Sequence, residues 1–198
     1  MTNEQYYELI KPYEDAVQLM WARLEVLNHN IYDKGANESK PVHHMQYRIK
    51  EKKSIEDKLA RQGVNDGVMN AKDHLMDIGG IRVICYFQAE VYELVEALKR
   101  QTDLIIIKEK DYIEHPKENG YRSYHVILGV PLHTLDAMEY YPVEIQFRTL
   151  SMDFWSSMEH RICYKKDRVD KAALSKQMKT LSESLALVEG ELESYIKP

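Results

Sequence analysis

Two carboxylates in the chain sit where a hard cation and a phosphate ester can be held together. Asp77 stands immediately before Ile78-Gly79-Gly80 and a strand-like run containing Arg82. Glu144 lies in YPVEIQF, where period-two alternation turns Val143, Ile145 and Phe147 to one face and Glu144, Gln146 and Arg148 to the other. Mg²⁺ is usually bound by one or two carboxylates together with substrate phosphates, so the pair is a candidate metal and catalytic site. The bland alternative for Glu144 is an ordinary solvated sheet face.

Cations cluster upstream. Residues 48–61 supply Arg48, Lys50, Lys52, Lys53, Lys58 and Arg61. In a helix beginning near Glu51, Ser54, Lys58 and Arg61 share one stripe, with Lys50 just ahead of it and Ile55 and Leu59 turned to the core. Such a stripe can grip a polyphosphate, with Arg82 and Lys110 reaching in from strands. Arginine binds phosphate as a fork and lysine as a point charge. Interspersed Glu51, Glu56 and Asp57 keep a plain solvated helix face open as a reading.

A third group lies in HPKENGYRSYH, residues 115–125. Tyr121, following a glycine, can offer its ring to a flat base. Lys117 and Asn119 can meet a base edge or a phosphate, and His125 shares a strand face with Ser123. A nucleotide is the ligand class common to these pieces. The chain has neither a GxxxxGK[ST] loop nor a GxGxxG turn, which excludes P-loop and Rossmann chemistry. His43-His44 is read as structural or surface, because adjacent side chains are expected to point apart.

These residues need elements to hold them. Apolar spacing at Tyr6, Leu9 or Ile10, Tyr13, Val17, Met20, Leu24, Leu27 and Ile31 predicts an amphipathic helix over 4–31, with Pro12 near a bend, ending in YDKGANESKP. Helices are predicted over about 51–62 and 89–100, and strands over 79–87, 104–110, 124–130 and 141–147. Two glycines opening the first of these strands suggest entry from a tight turn. The fold class is α+β, a mixed sheet of about five strands flanked by helices, with N- and C-terminal helical extensions.

At 198 residues and 44% hydrophobic, the chain suits one well-buried domain. Its net charge of −5 gives no global attraction to nucleic acid or membrane, so any such partner must act through a local patch. Two cysteines form no disulfide framework, MTNEQYYELIKPYED lacks the basic start and apolar run expected of a signal peptide, and no apolar stretch reaches bilayer length. The expected location is cytoplasmic. In the tail, Leu174, Met178, Leu181, Leu185, Val188, Leu192 and Tyr195 recur at steps of 4 and 3, a heptad seam. Either the chain's own domain or a second copy must cover it.

In combination, DIGGIRVICYF, DYIEHPKENGYRSYH and VEIQFRTLSMDFWSSMEH, preceded by the basic RIKEKKSIEDKLAR, resemble the synthetase domain of RelA/SpoT-type enzymes over roughly residues 40–165. The His-Asp hydrolase signature of the longer members is not found in these residues, and the chain is expected to resemble the single-domain small alarmone synthetases. The resemblance implies a nucleotidyltransferase-like synthetase domain over 1–198: an N-terminal helix over 1–40, a catalytic core over 41–165 and a C-terminal helix over 166–198.

It also implies transfer of the β,γ-pyrophosphate of ATP to the 3′-hydroxyl of GDP or GTP, with AMP released and Mg²⁺ as cofactor. Asp77 would bind the metal, and Glu144 would help bind it or activate the 3′-hydroxyl as general base. Arg48, Lys50, Ser54, Lys58, Arg61, Arg82 and Lys110 would hold ATP. Lys117, Asn119, Tyr121, His125 and Gln146 would surround the acceptor. Arg148 can instead brace its strand, and Trp155, Glu159 and His160 support the sheet. Two positions depart from the family pattern: Tyr47 stands where glycine often precedes the basic segment, and Lys110 where some relatives have arginine. The family's assembly through terminal helices implies a homo-oligomer, with a tetramer favoured. No membrane partner is expected, and RNA is an open partner class. The rival readings are a toxic relative acting on an adenine nucleotide or the 3′ end of tRNA, and an inactive nucleotide- or RNA-binding regulator.

Overall fold

The computed structural model describes residues 1–34, 40–163 and 171–196. Its elements run α1 Asn3–Lys34, β1 Val42–Ile49, α2 Lys52–Arg61, α3 Val68–His74, β2 Gly79–Cys85, α4 Gln88–Lys99, β3 Ile105–Asp111, β4 Tyr124–His133, β5 Met138–Thr149, α5 Leu150–Cys163 and α6 Lys171–Ser194. The strands form one mixed sheet in the order β1-β2-β5-β4-β3. Among the described residues β2 and β5 are parallel neighbours, and β1 with β2, β3 with β4 and β4 with β5 pair antiparallel.

One face of the sheet is the core. Ile81, Val83, Val126, Leu128, Val143, Ile145 and Phe147 alternate onto it, and α1 and α4 cover it with Val17, Met20, Leu24, Val91, Leu94, Val95 and Leu98. Each such side chain contributes about 1.5–3 kcal/mol when fully buried. α1 runs through Pro12 without interruption, so the expected bend does not end the helix. The break expected after it falls mainly on residues 35–39, outside the described residues. A smaller cluster of Leu9, Ile10, Tyr13, Ile55, Leu59, Ala71, Leu75 and Ile78 fastens α2 and α3 to the start of α1. That cluster fixes α2 beside the entry to β2, where Asp77 lies.

The glycines opening β2 have a different cause from the one expected. Neither has a positive φ. A Cβ on Gly79 would lie 2.8 Å from Val17 Cγ2, so the residue is small because α1 crosses the strand there. β1 was not among the strands the sequence indicated. Met45, Tyr47 and Ile49 do alternate with Gln46 and Arg48, but a register shift between Val42 and His44 puts the first half out of phase. α3 is also new, a helix of only 7 residues.

Candidate active site

The face of the sheet turned away from α1 is polar, and strand register explains why. Gln46, Arg82, Gln146, His125 and Lys110 are paired in one row across all five strands. The next row holds Arg48, Gly80, Glu144, Ile127 and Lys108. Gly80, between Arg48 and Glu144, leaves the floor of that row without a side chain.

At the β2 end, Lys50 and Lys58 converge on Asp77. Both ammonium groups donate to Oδ2 at 2.7 Å. Burial pushes the Asp77 carboxyl up, but the two lysines together outweigh it and hold the group below the usual carboxylate range. The other oxygen, Oδ1, is buried with no hydrogen-bond partner. A buried carboxylate oxygen left open in this way is a place for a cation. Ser54 is exposed on α2 between the lysine contacts, and Arg61, also exposed, folds its Nε back onto the Asp57 carbonyl at 3.2 Å. The expected stripe is therefore present on α2, with Lys58 the member that reaches Asp77.

Glu144 sits at the centre of the sheet. Gln146 Nε2 donates to its Oε2 at 3.0 Å, and His125 Nδ1 lies 3.5 Å from its Oε1. Burial raises its pKa and so does Asp77, but His125 and Gln146 prevail and keep the carboxyl below its ordinary range. Glu144 lines two clefts. One, of about 80 Å³, is bounded by Arg48, Gly80, Arg82 and Gln146. The other, of about 190 Å³, is bounded by Lys108, Lys110, Tyr112, Lys117 and His125. Lys110, expected on the ATP side, thus lies with the residues expected around the acceptor.

Tyr121 is held from several directions. Its hydroxyl is 2.9 Å from His125 Nε2 and accepts from Arg148 at 3.0 Å. Lys117 Nζ stands 4.7 Å from the ring centroid, and Trp155 meets it edge-on at 6.4 Å. Asn119 has its side chain committed: Oδ1 accepts from the Tyr121 N–H at 3.1 Å, while Nδ2 faces Glu159 at 3.5 Å. Arg148 is buried and bonded to Asp153 at 2.9 Å, which fits the bracing role. Trp155 is buried and donates to the Met178 carbonyl, while Arg122 and Tyr124 point away from the cleft, Tyr124 into the core.

Sequence reasoning missed three residues here. Tyr112 meets both Tyr121 and His125 edge-on, with Lys110 and Lys117 near its ring. Asp153 at the start of α5 ties Arg148 and, at 3.6 Å, Arg82. Gln46 enters through the unrecognised β1. Only Tyr112 carried a signal, as an aromatic ending IIIKEKDY. His43 and His44 also differ from expectation: their Nδ1 atoms are 2.7 Å apart, because the irregular register at this point brings the rings to one side. Among the described residues no group of three or more His, Cys, Asp or Glu gathers as a metal site, and no helix is long and apolar enough to cross a membrane.

A mixed five-stranded sheet with one apolar face under two helices, and one open face lined by carboxylates and cations, defines an α+β phosphate-handling domain. The chain belongs to the RelA/SpoT family: residues 47–169 match the sequence signature described as the region found in RelA / SpoT proteins. It is 43% identical over 143 residues to the GTP pyrophosphokinase YwaC of Bacillus subtilis (strain 168), covering 72% of this chain and 68% of that protein. The small alarmone synthetase 1 of Bacillus subtilis, solved bound to its product pppGpp, superposes with a TM-score of 0.83 at 28% identity, over 98% of this chain and 97% of that one. The small alarmone synthetase 2 of the same organism gives a TM-score of 0.82 at 33% identity, over 98% of both chains.

Proposed function

We propose that the chain is a (p)ppGpp synthetase, a GTP pyrophosphokinase that transfers the β,γ-pyrophosphate of ATP to the 3′-hydroxyl of GDP or GTP and releases AMP. The observation that carries the reading is the position of Glu144 on the wall shared by two clefts, one rich in arginine and one lined by tyrosine, histidine and lysines. ATP occupies the side of Asp77, with Arg48, Lys50, Ser54, Lys58, Arg61 and Arg82 on its phosphates and base. The acceptor lies on the side of Lys117, Asn119, Tyr121, His125 and Gln146, and Lys110 serves its phosphates.

Transfer at phosphorus asks mainly for positioning and charge stabilisation. Glu144 takes the proton of the attacking hydroxyl, and its low pKa keeps it ionised at neutral pH. The arginines and lysines clamp the charge that develops on the phosphate oxygens. Asp77 and Glu144 would hold Mg²⁺ beside the substrate phosphates, and the unpartnered Asp77 Oδ1 is a hard oxygen that suits such an ion. When bound, the ion would neutralise charge that develops on the phosphate oxygens.

Purified protein incubated with labelled ATP, Mg²⁺ and, separately, GDP, GTP, ADP, ATP and tRNA gives 3′-pyrophosphorylated guanine nucleotides. Product with another acceptor alone, or none at all, overturns the reading.

The assembly belongs to the same proposal: a homo-oligomer, a tetramer by analogy with the family, built through the terminal helices. Of the heptad seam, Met178 is buried against the chain's own domain, but Leu181, Val188, Leu192 and Tyr195 are each more than half exposed. Such a stripe loses free energy in water unless a second copy covers it. Val188→Glu with Leu192→Glu lowers the mass measured by light scattering, and an unchanged mass overturns the assignment.

A further inference from the structure

The turn that carries the proposed acceptor residues does not hold its shape alone. Lys117 and Tyr121 are bridged by a backbone bond of 3.1 Å, and the Gly120 N–H closes onto the Lys117 carbonyl at 2.8 Å. Gly120 has φ +91, a conformation that favours glycine. It is buried against α6: a Cβ at this position would lie 2.8 Å from Lys179 Cα and 2.9 Å from Ser182 Cβ. Its carbonyl accepts a 2.6 Å hydrogen bond from Ser182 Oγ, and Ser182 is itself buried.

One turn earlier on the same helix, the Met178 carbonyl accepts from Trp155 Nε1 at 2.8 Å. Trp155 is the ring that meets Tyr121 edge-on. The backbone just before Tyr121 and the aromatic neighbour of its ring are therefore both fastened to α6, at positions i and i+4. Glu189, further along the same face, accepts from Thr149 at 2.6 Å and from Ser151, which fixes the helix to the end of β5.

We propose that Ser182 is a positioning residue for the acceptor nucleotide: through the Gly120 carbonyl, α6 sets the turn that presents Lys117, Asn119 and Tyr121. The inference rests on the acceptor reading of that turn. Ser182 lies outside the Glu144 clefts and touches no residue of the Asp77 side. Its removal acts on acceptor recognition and leaves the ATP half-site as it was.

The test is steady-state kinetics of Ser182→Ala against wild type, varying GDP at saturating ATP and then ATP at saturating GDP. The expected result is a KM for GDP raised about fivefold to tenfold, the scale of one net hydrogen bond, with the KM for ATP and kcat within about twofold. Gly120→Ala, which forces the turn off α6 without touching the hydroxyl, raises the KM for GDP similarly. The double variant is no worse than the more impaired single variant, since both break one contact. Ser182→Cys, which keeps the volume but has a weak donor, falls between wild type and alanine and supplies the comparison if alanine does not fold.

An unchanged GDP KM in both Ser182 variants overturns the proposal, as does an equal rise for GDP and ATP or additivity of the double variant. A wild-type protein that makes no guanine product would instead overturn the reading on which it rests.

Discussion

Glu144→Gln reduces pyrophosphoryl transfer by about 10²–10⁴-fold, the range expected for loss of a general base. The substitution keeps the size of the side chain and leaves an amide oxygen to accept from Gln146. It removes the charge that His125 and Gln146 now hold in place. Because β5 is a central strand packed by Val143, Ile145 and Phe147, the fold is retained and Tm changes little. The loss should appear in kcat for either guanine acceptor, with nucleotide binding preserved. Retained activity with unchanged unfolding would remove Glu144 from the role of base.

Asp77→Asn has an effect of comparable size for a different reason. The carboxylate accepts from both Lys50 and Lys58 through one oxygen and leaves the other without a partner. With an amide there, two partly buried ammonium groups face each other without a counter-charge, and the proposed cation site loses its negative oxygen. A loss of several kcal/mol of transition-state stabilisation corresponds to about 10³-fold or more in rate. Added Mg²⁺ recovers part of this if the loss is in metal affinity. Activity of wild-type magnitude at ordinary Mg²⁺ would sink the assignment.

The same ion pairs set a pH dependence. The Asp77 carboxyl has a lower pKa in the folded protein than in the unfolded chain, so its contribution to stability is present above the unfolded value. It is lost as pH falls through the lower folded value. Acid titration followed by unfolding should therefore show a larger loss of stability at low pH for wild type than for Asp77→Asn. Equal slopes would mean that the lysine contacts contribute nothing in solution.

Much of this fold was legible in the residues because burial imposes period. The alternation in YPVEIQF placed Glu144 and Gln146 opposite Val143 and Ile145, as the register shows. The three-and-four spacing along α1 and α2 marked their buried faces. β1 was hidden because an irregular register shifts the alternation at His44, and α3 because 7 residues carry too little periodicity. The tail is instructive in another way. Against its own domain α6 turns Met178, Ser182 and Glu189 inward and leaves Leu181, Val188 and Leu192 of the leucine seam outside, on the side proposed for a second copy. Polar partners on Gly120, Thr149 and Ser151 satisfy the buried hydroxyl and carboxylate, and no hydrophobic count anticipates them.

By itself the sequence determined the α+β class, the two carboxylates, the basic stripe and the aromatic turn, because residue type and local spacing are properties of short segments. The tertiary structure decided which of these groups meet. Lys50 and Lys58 reach the same Asp77 oxygen across 27 and 19 residues, and Lys110 joins the cleft of His125. Ser182 holds a turn 62 residues away. Such long-range partners are fixed by strand order and helix packing, which no local pattern encodes.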